Sequence, residues 1–227
     1  MPLPIDEREA AKAAQWLKTN YGNALFIAVE DTPFSIDNLC GIACQETAYF
    51  WLPLLDELSP DEICARCVLD GSGDFRPEEN PRTAFPQNTA AFRARYDATD
   101  PGFADMLIAE GNETRRVRGF SPVDWLYKGY GIFQYDLQYV EDDPAFFREK
   151  LWYRFDECLK RVMMELQGKF DSLGDVRAAI RAYNGRGARA EMYAANVLTF
   201  SDIATNVAAI AQAVGPDTPE AGASQPA

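Results

Sequence analysis

Histidine is absent from the 227 residues of this chain. That excludes Ser-His-Asp and Cys-His nucleophile pairs, His-ligated zinc and imidazole proton shuttles. Acid–base chemistry is left to carboxylates, Tyr, Lys or Cys. Long apolar runs are also missing: no segment approaches the roughly 18 uninterrupted apolar residues that read as a membrane span. The first residues, Met1 to Glu9, lack a basic region followed by an apolar run, so no secretory signal is expected. Positive charge is scarce, with 22 Lys and Arg against 35 Asp and Glu and a net charge of -13. A general electrostatic footprint for nucleic acid is therefore not expected. The five cysteines, Cys40, Cys44, Cys64, Cys67 and Cys158, are an odd number without a disulfide framework, and free thiols are expected. Cys40 with Cys44, and Cys64 with Cys67, stand one helical turn apart, so two helices could present four sulfurs to zinc. That spacing is not a standard zinc signature, and the apolar neighbours favour small buried hydrophobes.

What is present is ordinary for a folded domain: 47% hydrophobic and 25% charged residues, in a chain long enough for one core or one core with a large insertion. The pattern reads as mainly helical. A first amphipathic helix is expected over residues 5–21, with Ile5, Ala13, Trp16 and Leu17 inward and a stop before Gly22. Ala24 to Val29 fits either a strand or a helical turn. Residues 31–37 are turn-rich and supply an N-cap for a helix that ends near Pro53. Ser59, Pro60 and Glu62 form a strong helix start, with the helix ending around Asp70 and Gly71. Residues 72–87 are a polar loop of a length that often borders a cleft.

Further helices are expected from Asn88 to Tyr96 and from Asp100 to Ile108, with Gly111 past the end of the latter. A short one should follow Ser121, with Asp124 in its capping box, and run out at Gly129. A long one should extend from Asp143 to Gln167, and two more over 175–183 and 188–214. Beyond Gly215 the Pro, Gly, Ser and Ala composition predicts a disordered tail, 215–227. No internal repeat is visible.

Within Asn38 to Leu52 the single ionisable carboxylate is Glu46. A 100° helical step puts Leu39, Ile42, Ala43, Tyr49 and Phe50 within about 60° of it, so the acid lies in the middle of an apolar stripe. A carboxylate there is protonated, hydrogen-bonded or at the floor of a cleft, and each shifts its pKa. It is either a structural Glu meeting backbone or a hidden Arg, or a general acid.

Two more stretches stand out. Gly129 to Asp136 (Gly-Tyr-Gly-Ile-Phe-Gln-Tyr-Asp) combines two glycines with aromatics, Tyr130 among them, and the amide Gln134, side chains that sugar-binding sites commonly offer. A β-turn flanked by core aromatics explains it equally well. Ala182-Tyr183-Asn184-Gly185 closes a helix whose Tyr183 hydroxyl needs a partner.

In this order, Cys-Gln-Glu46-Thr47, Gly-Ile-Phe-Gln134 and Ala-Tyr183-Asn184-Gly resemble the three motifs of the lysozyme-like superfamily, the goose-type lysozymes and soluble lytic transglycosylase-like muramidases. There a Glu-Ser pair ends the catalytic helix, a Gly-Leu-Met-Gln turn lines the cleft and an Ala-Tyr-Asn segment closes it. The family's Ser is Thr47 here, which keeps the hydroxyl, and its Leu-Met is Ile132 and Phe133.

The resemblance implies a mainly α, lysozyme-like fold with a single catalytic domain over 1–214. About 80 residues separate the first two motifs, more than in shorter relatives, which makes 60–120 an inserted helical region. It implies that Glu46 protonates the MurNAc-β-1,4-GlcNAc glycosidic oxygen of peptidoglycan. Thr47, Tyr130, Gln134, Tyr183 and Asn184 would then hold the sugar or the acid, with no metal or organic cofactor.

An inverting hydrolase also needs a base about 6.5–9.5 Å from the acid, whereas a lytic transglycosylase uses the sugar's own 6-hydroxyl and one acid. Asp136 is the favoured helper, ahead of Asp124, with Asp70 and Asp74 open from the loop. The expected partner is the peptidoglycan glycan strand, met in the periplasm or outside the cell after phage lysis or through a dedicated secretion system. Two alternatives are a chitin- or chitosan-cleaving enzyme of the same fold, and a non-catalytic interaction protein that binds a protein partner through the insertion and Arg115, Arg116 and Arg118.

Overall fold

A computed structural model describes residues 2–74 and 82–208, and is mainly helical. Helix α1 (Glu7–Val29) opens with a reciprocal capping box between Asp6 and Glu9. It runs through Gly22, so the ambiguous stretch Ala24 to Val29 is its last turns rather than a strand. Gly22 meets nothing that would break the helix and is tolerated at a small propensity cost. Ser35 and Asn38 cap α2 (Ile36–Ala43), which widens into a π-helical turn over Cys44–Ala48. The chain continues as α3 (Tyr49–Trp51) and a 3-10 turn, Leu52–Leu54, at Pro53.

Ser59 and Glu62 cap α4 (Pro60–Arg66). That helix stops four residues before the expected Asp70, because Val68–Leu69 leaves it as strand β1. Asn88 caps α5 (Thr89–Tyr96), and α6 (Phe103–Val117) follows. Helix α6 does not end before Gly111. A Cβ there would lie 2.5 Å from the Tyr127 ring, so the glycine makes room for an aromatic inside a continuous helix. The expected helix after Ser121 does not form: Asn112 takes the backbone N–H of Val123 and donates to its carbonyl, holding the segment extended.

Strands β2 (Gly129–Tyr130) and β3 (Tyr135–Asp136) make a hairpin, and β1 joins β2 to complete a three-stranded antiparallel sheet in the order β1-β2-β3. A 3-10 turn, Leu137–Val140, leads to α7 (Pro144–Arg148). The single long helix expected from Asp143 is broken here. Lys150 adopts a left-handed φ of 54°, a 3-10 turn follows at Leu151–Tyr153, and α8 (Phe155–Leu173) restarts, ending at Gly174 instead of Gly168. Asp175 caps α9 (Val176–Tyr183), and α10 (Ala188–Thr205) closes the described chain. Part of the polar loop (75–81), the end of the expected last helix and the tail 215–227 lie outside the described residues.

One cluster of buried side chains runs from Ile5, just before α1, to Ala204 on α10 and includes Phe92 and Leu107 of the 60–120 region. That region is tied in by charge as well. Glu110 on α6 accepts from Lys150 (2.6 Å), the Tyr153 hydroxyl (2.6 Å) and Arg66 (3.2 Å). Burial pushes its pKa up, but these donors outweigh burial and hold it below the usual value. All five cysteines are free and buried, and the described residues contain no group of three or more metal-ligating side chains.

Two devices seat the last helix against the first two. Lys18 on α1 reaches the Ala204 and Val207 carbonyls (2.7 and 2.8 Å) and Asp37 (2.8 Å), satisfying the end of α10. Helix α2 approaches α10 so closely at Gly41 that a Cβ would sit 2.5 Å from the Val197 carbonyl oxygen and 2.6 Å from Ser201 Oγ. Backbone cannot yield as a flexible side chain can. Gly41→Ala should therefore lower stability by about 1–3 kcal/mol, the usual cost of overpacking. A urea titration followed by circular dichroism checks this, and an unchanged midpoint would show that the two helices part easily.

Candidate active site

The site is built around three consecutive carbonyls in the β2–β3 turn. Gly131 (φ 77°) and Gln134 (φ 57°) take left-handed conformations. The turn carbonyls that β-pairing leaves over are met by side chains from all three motifs. Gln134 Nε2 donates to the Gly131 carbonyl (2.8 Å) and to that of Cys67 at the foot of β1 (3.0 Å). Thr47 Oγ1 donates to the Ile132 carbonyl (2.8 Å) and accepts from Trp51 Nε1 (3.0 Å). The Tyr183 hydroxyl donates to the Phe133 carbonyl (2.6 Å). Both glycines are required: a Cβ at Gly131 would meet Cys158 Sγ at 2.4 Å, and one at Gly129 would meet Gln134 Oε1 at 2.2 Å.

This triangle fixes the residue beside Thr47. Glu46 projects from the π-helical turn into a cleft of about 520 Å³, whose lining includes Asp70, Gln134, Asp136, Tyr139, Glu165, Lys169, Tyr183 and Asn184. Its Oε1 accepts a 2.7 Å hydrogen bond from the Tyr193 hydroxyl on α10. Burial pushes the Glu46 pKa up to about 7; the Tyr193 bond pulls it down, and Asp70 and Glu165 push it further up. Desolvation wins because a single neutral donor replaces little of the water a carboxylate loses.

The predicted residues separate into two groups. Glu46, Asp136, Gln134, Tyr183 and Asn184 converge on the cleft. Thr47 and Tyr130 do not: both are fully buried. Thr47 spends its hydroxyl on the hairpin, and Tyr130 packs against Phe147 and Trp152 on the far side of the sheet, so neither touches a ligand in the cleft. The Tyr183 hydroxyl is likewise committed to backbone, leaving its ring to form cleft wall.

Among the carboxylates, Asp136 caps the following turn through Gln138 N (2.7 Å) and pairs with Arg82, both on Oδ1. Asp70, with φ 63°, accepts from Ser72 N and Oγ and is exposed at the cleft. Asp74 instead binds Thr89 and the buried Lys128, and Asp124 is exposed but absent from the cleft lining.

Tyr193, Tyr139, Glu165 and Lys169 were not singled out from the sequence. Glu165 takes both the Tyr139 hydroxyl and Lys169 Nζ at 3.2 Å, and burial keeps its pKa above the usual value despite them. No local pattern marks it: on α8 it looks like one more polar residue beside Met164 and Leu166. Tyr193 sits in an alanine-rich helix 147 residues from its partner. Compared with known proteins, the chain matches no family model, no curated protein and no solved structure.

Two outcomes follow from the Glu46 environment. The folded protein holds the Glu46 proton up to about pH 7, whereas an exposed Glu releases it near 4.5, so this group costs stability as pH rises through that window. Glu46→Gln should gain thermal stability over the parent between pH 5 and pH 8, read by melting curves across that range. Tyr193→Phe removes a donor to the charged form, so the Glu46 pKa should rise further, visible in carboxyl-carbon NMR titration; a fall would mean that the hydroxyl acts otherwise.

Proposed function

We propose that this protein is a glycoside-cleaving muramidase acting on peptidoglycan, with Glu46 as the general acid. The observation that carries the reading is a carboxyl held protonated to near neutrality, aimed into a polar cleft and steadied by one hydroxyl. Such a group delivers a proton to a leaving glycosidic oxygen, since a catalytic pKa near the working pH serves both holding and giving the proton. The ordered resemblance of the three motifs to the lysozyme-like muramidases names the bond, MurNAc-β-1,4-GlcNAc, and a lysozyme-like arrangement of the helices.

In this mechanism Glu46 donates to the glycosidic oxygen as the C–O bond breaks. Positive charge develops on the sugar ring, and among the described residues the cleft meets it with Asp70, Asp136 and Glu165 against Lys169. Either water or the sugar's own 6-hydroxyl then attacks. For water, one of these carboxylates acts as base about 6.5–9.5 Å from the acid. Each of the three already makes two structural bonds, so Asp70 joins Asp136 as a candidate helper. No metal or organic cofactor enters this scheme. Peptidoglycan lies outside the cytoplasm, so the reading carries with it action in the periplasm or outside the cell. Among the described residues no helix is long and apolar enough to cross a membrane.

Glu46→Gln should abolish release of muropeptides from purified sacculi, a loss of at least about 100-fold for removing a general acid, while the circular dichroism spectrum stays unchanged. Mass analysis of the parent's products separates hydrolysis from 1,6-anhydro ends, and a chito-oligosaccharide panel tests the nearest rival substrate.

A further inference from the structure

The basic cluster Arg115, Arg116 and Arg118 sits at the end of α6, and its three members do different work. Arg116 pairs with Glu113 (2.8 Å) on its own helix. Arg115 is spent on structure: it donates to the Ser121 carbonyl and to the Tyr127 hydroxyl (3.0 Å), and lies over the Phe120 and Trp125 rings. Arg118 is exposed and has no carboxylate partner among the described residues, in a chain where acids outnumber bases. What holds it is aromatic: its guanidinium lies 4.9 Å from the centroid of Phe120 and 5.9 Å from that of Phe50.

Phe50 and Tyr49 are the next turn of the helix that carries Glu46, so Arg118 stands one helical turn along the same face from the acid. Tyr49 is 43% exposed and Phe120 49%, unusual for large aromatic rings. Arg118, Glu46 and Asp70 all act on the Tyr49 hydroxyl, whose pKa burial raises and Arg118 draws down. Two exposed rings and a guanidinium that pairs with no acid among the described residues therefore stand on the surface next to Glu46, just outside the residues that line the cleft.

We propose that Tyr49, Phe120 and Arg118 form a binding subsite for the carboxylate-bearing peptide branch of a muramyl residue. The rings receive the sugar and peptide faces, and Arg118 receives a carboxylate. An aromatic platform holds the guanidinium plane in place, which lowers the entropy lost when it forks onto a carboxylate. The otherwise acidic cleft repels carboxylates, so the peptide branch is steered to this lip and the neutral glycan to the Glu46 floor. The inference rests on the peptidoglycan reading and goes beyond it by separating glycan from peptide recognition.

Binding is measured in the uncleaving Glu46→Gln background by calorimetry, with a soluble tetrasaccharide-tetrapeptide muropeptide and with chitotetraose, which has no carboxylate. Arg118→Ala should weaken muropeptide binding by about 10-fold, the size of one charge-assisted hydrogen bond, and leave chitotetraose binding unchanged. Arg118→Lys should recover part of the loss, and added salt should narrow the gap. Absence of muropeptide binding, equal losses for both ligands, or no loss for either would overturn the subsite. Digestion of sacculi by the parent is scored separately: Arg118-dependent binding without cleavage would keep the subsite and dismiss the muramidase reading.

Discussion

Three neighbouring carbonyls, those of Gly131, Ile132 and Phe133, hold the site together. They sit in a tight turn whose residues cannot pair across a sheet, in a part of the molecule that is largely closed to water. An unsatisfied buried acceptor costs about 1–3 kcal/mol. Gln134 from the hairpin, Thr47 from the first motif and Tyr183 from the third each take one. Losing the Thr47 or Tyr183 hydroxyl removes the side-chain donor to the Ile132 or Phe133 carbonyl, whereas the Gly131 carbonyl is also met by the Gln134 backbone N–H (3.0 Å). The order of three short motifs across more than 130 residues thereby acquires a physical basis: the first and third both hydrogen-bond to the turn of the second.

Glu46 benefits from that rigidity without taking part in it. Its neighbour Thr47 points into the protein and is locked, and the π-helical turn at Cys44–Ala48 carries the acid toward the cleft. π-Helical turns recur at functional sites because the extra residue re-aims side chains that a regular helix would bury. The close seat of α2 on α10 at Gly41 then brings Tyr193 to the acid. Burial and a single hydroxyl compete for the proton, and burial prevails. The burial that raises the Glu46 pKa also makes the ionised group a liability to stability as pH rises toward neutrality.

Charge is distributed with a purpose the net figure hides. Most arginines of the described residues are matched: Arg66 with Glu110, Arg82 with Asp136, Arg161 with Asp143 and Glu157. Arg118 is matched by rings instead. The region between the first two motifs contributes β1 and Asp70, so it supplies cleft wall as well as bulk.

Read by itself, the sequence determined the mainly helical class, most helix starts and the oddity of Glu46. These depend on local rules: capping hydroxyls and carboxylates at Asp6, Ser35, Ser59, Asn88 and Asp175 act within a turn, and apolar periodicity exposes an acid on the wrong stripe. It misplaced several helix ends. Gly22, Gly111 and Gly168 are helix breakers by propensity alone, yet packing or the surrounding turns carry the helix through them. It missed the small sheet, because strands of two residues are defined by partners far along the chain. Only the tertiary structure decided that Thr47 and Tyr130 are internal, that Asp136 shares itself with Arg82, and that Tyr193 attends the acid. A hydrogen bond between residues 46 and 193 leaves no local trace, since neither residue's neighbours change with the partner it will meet.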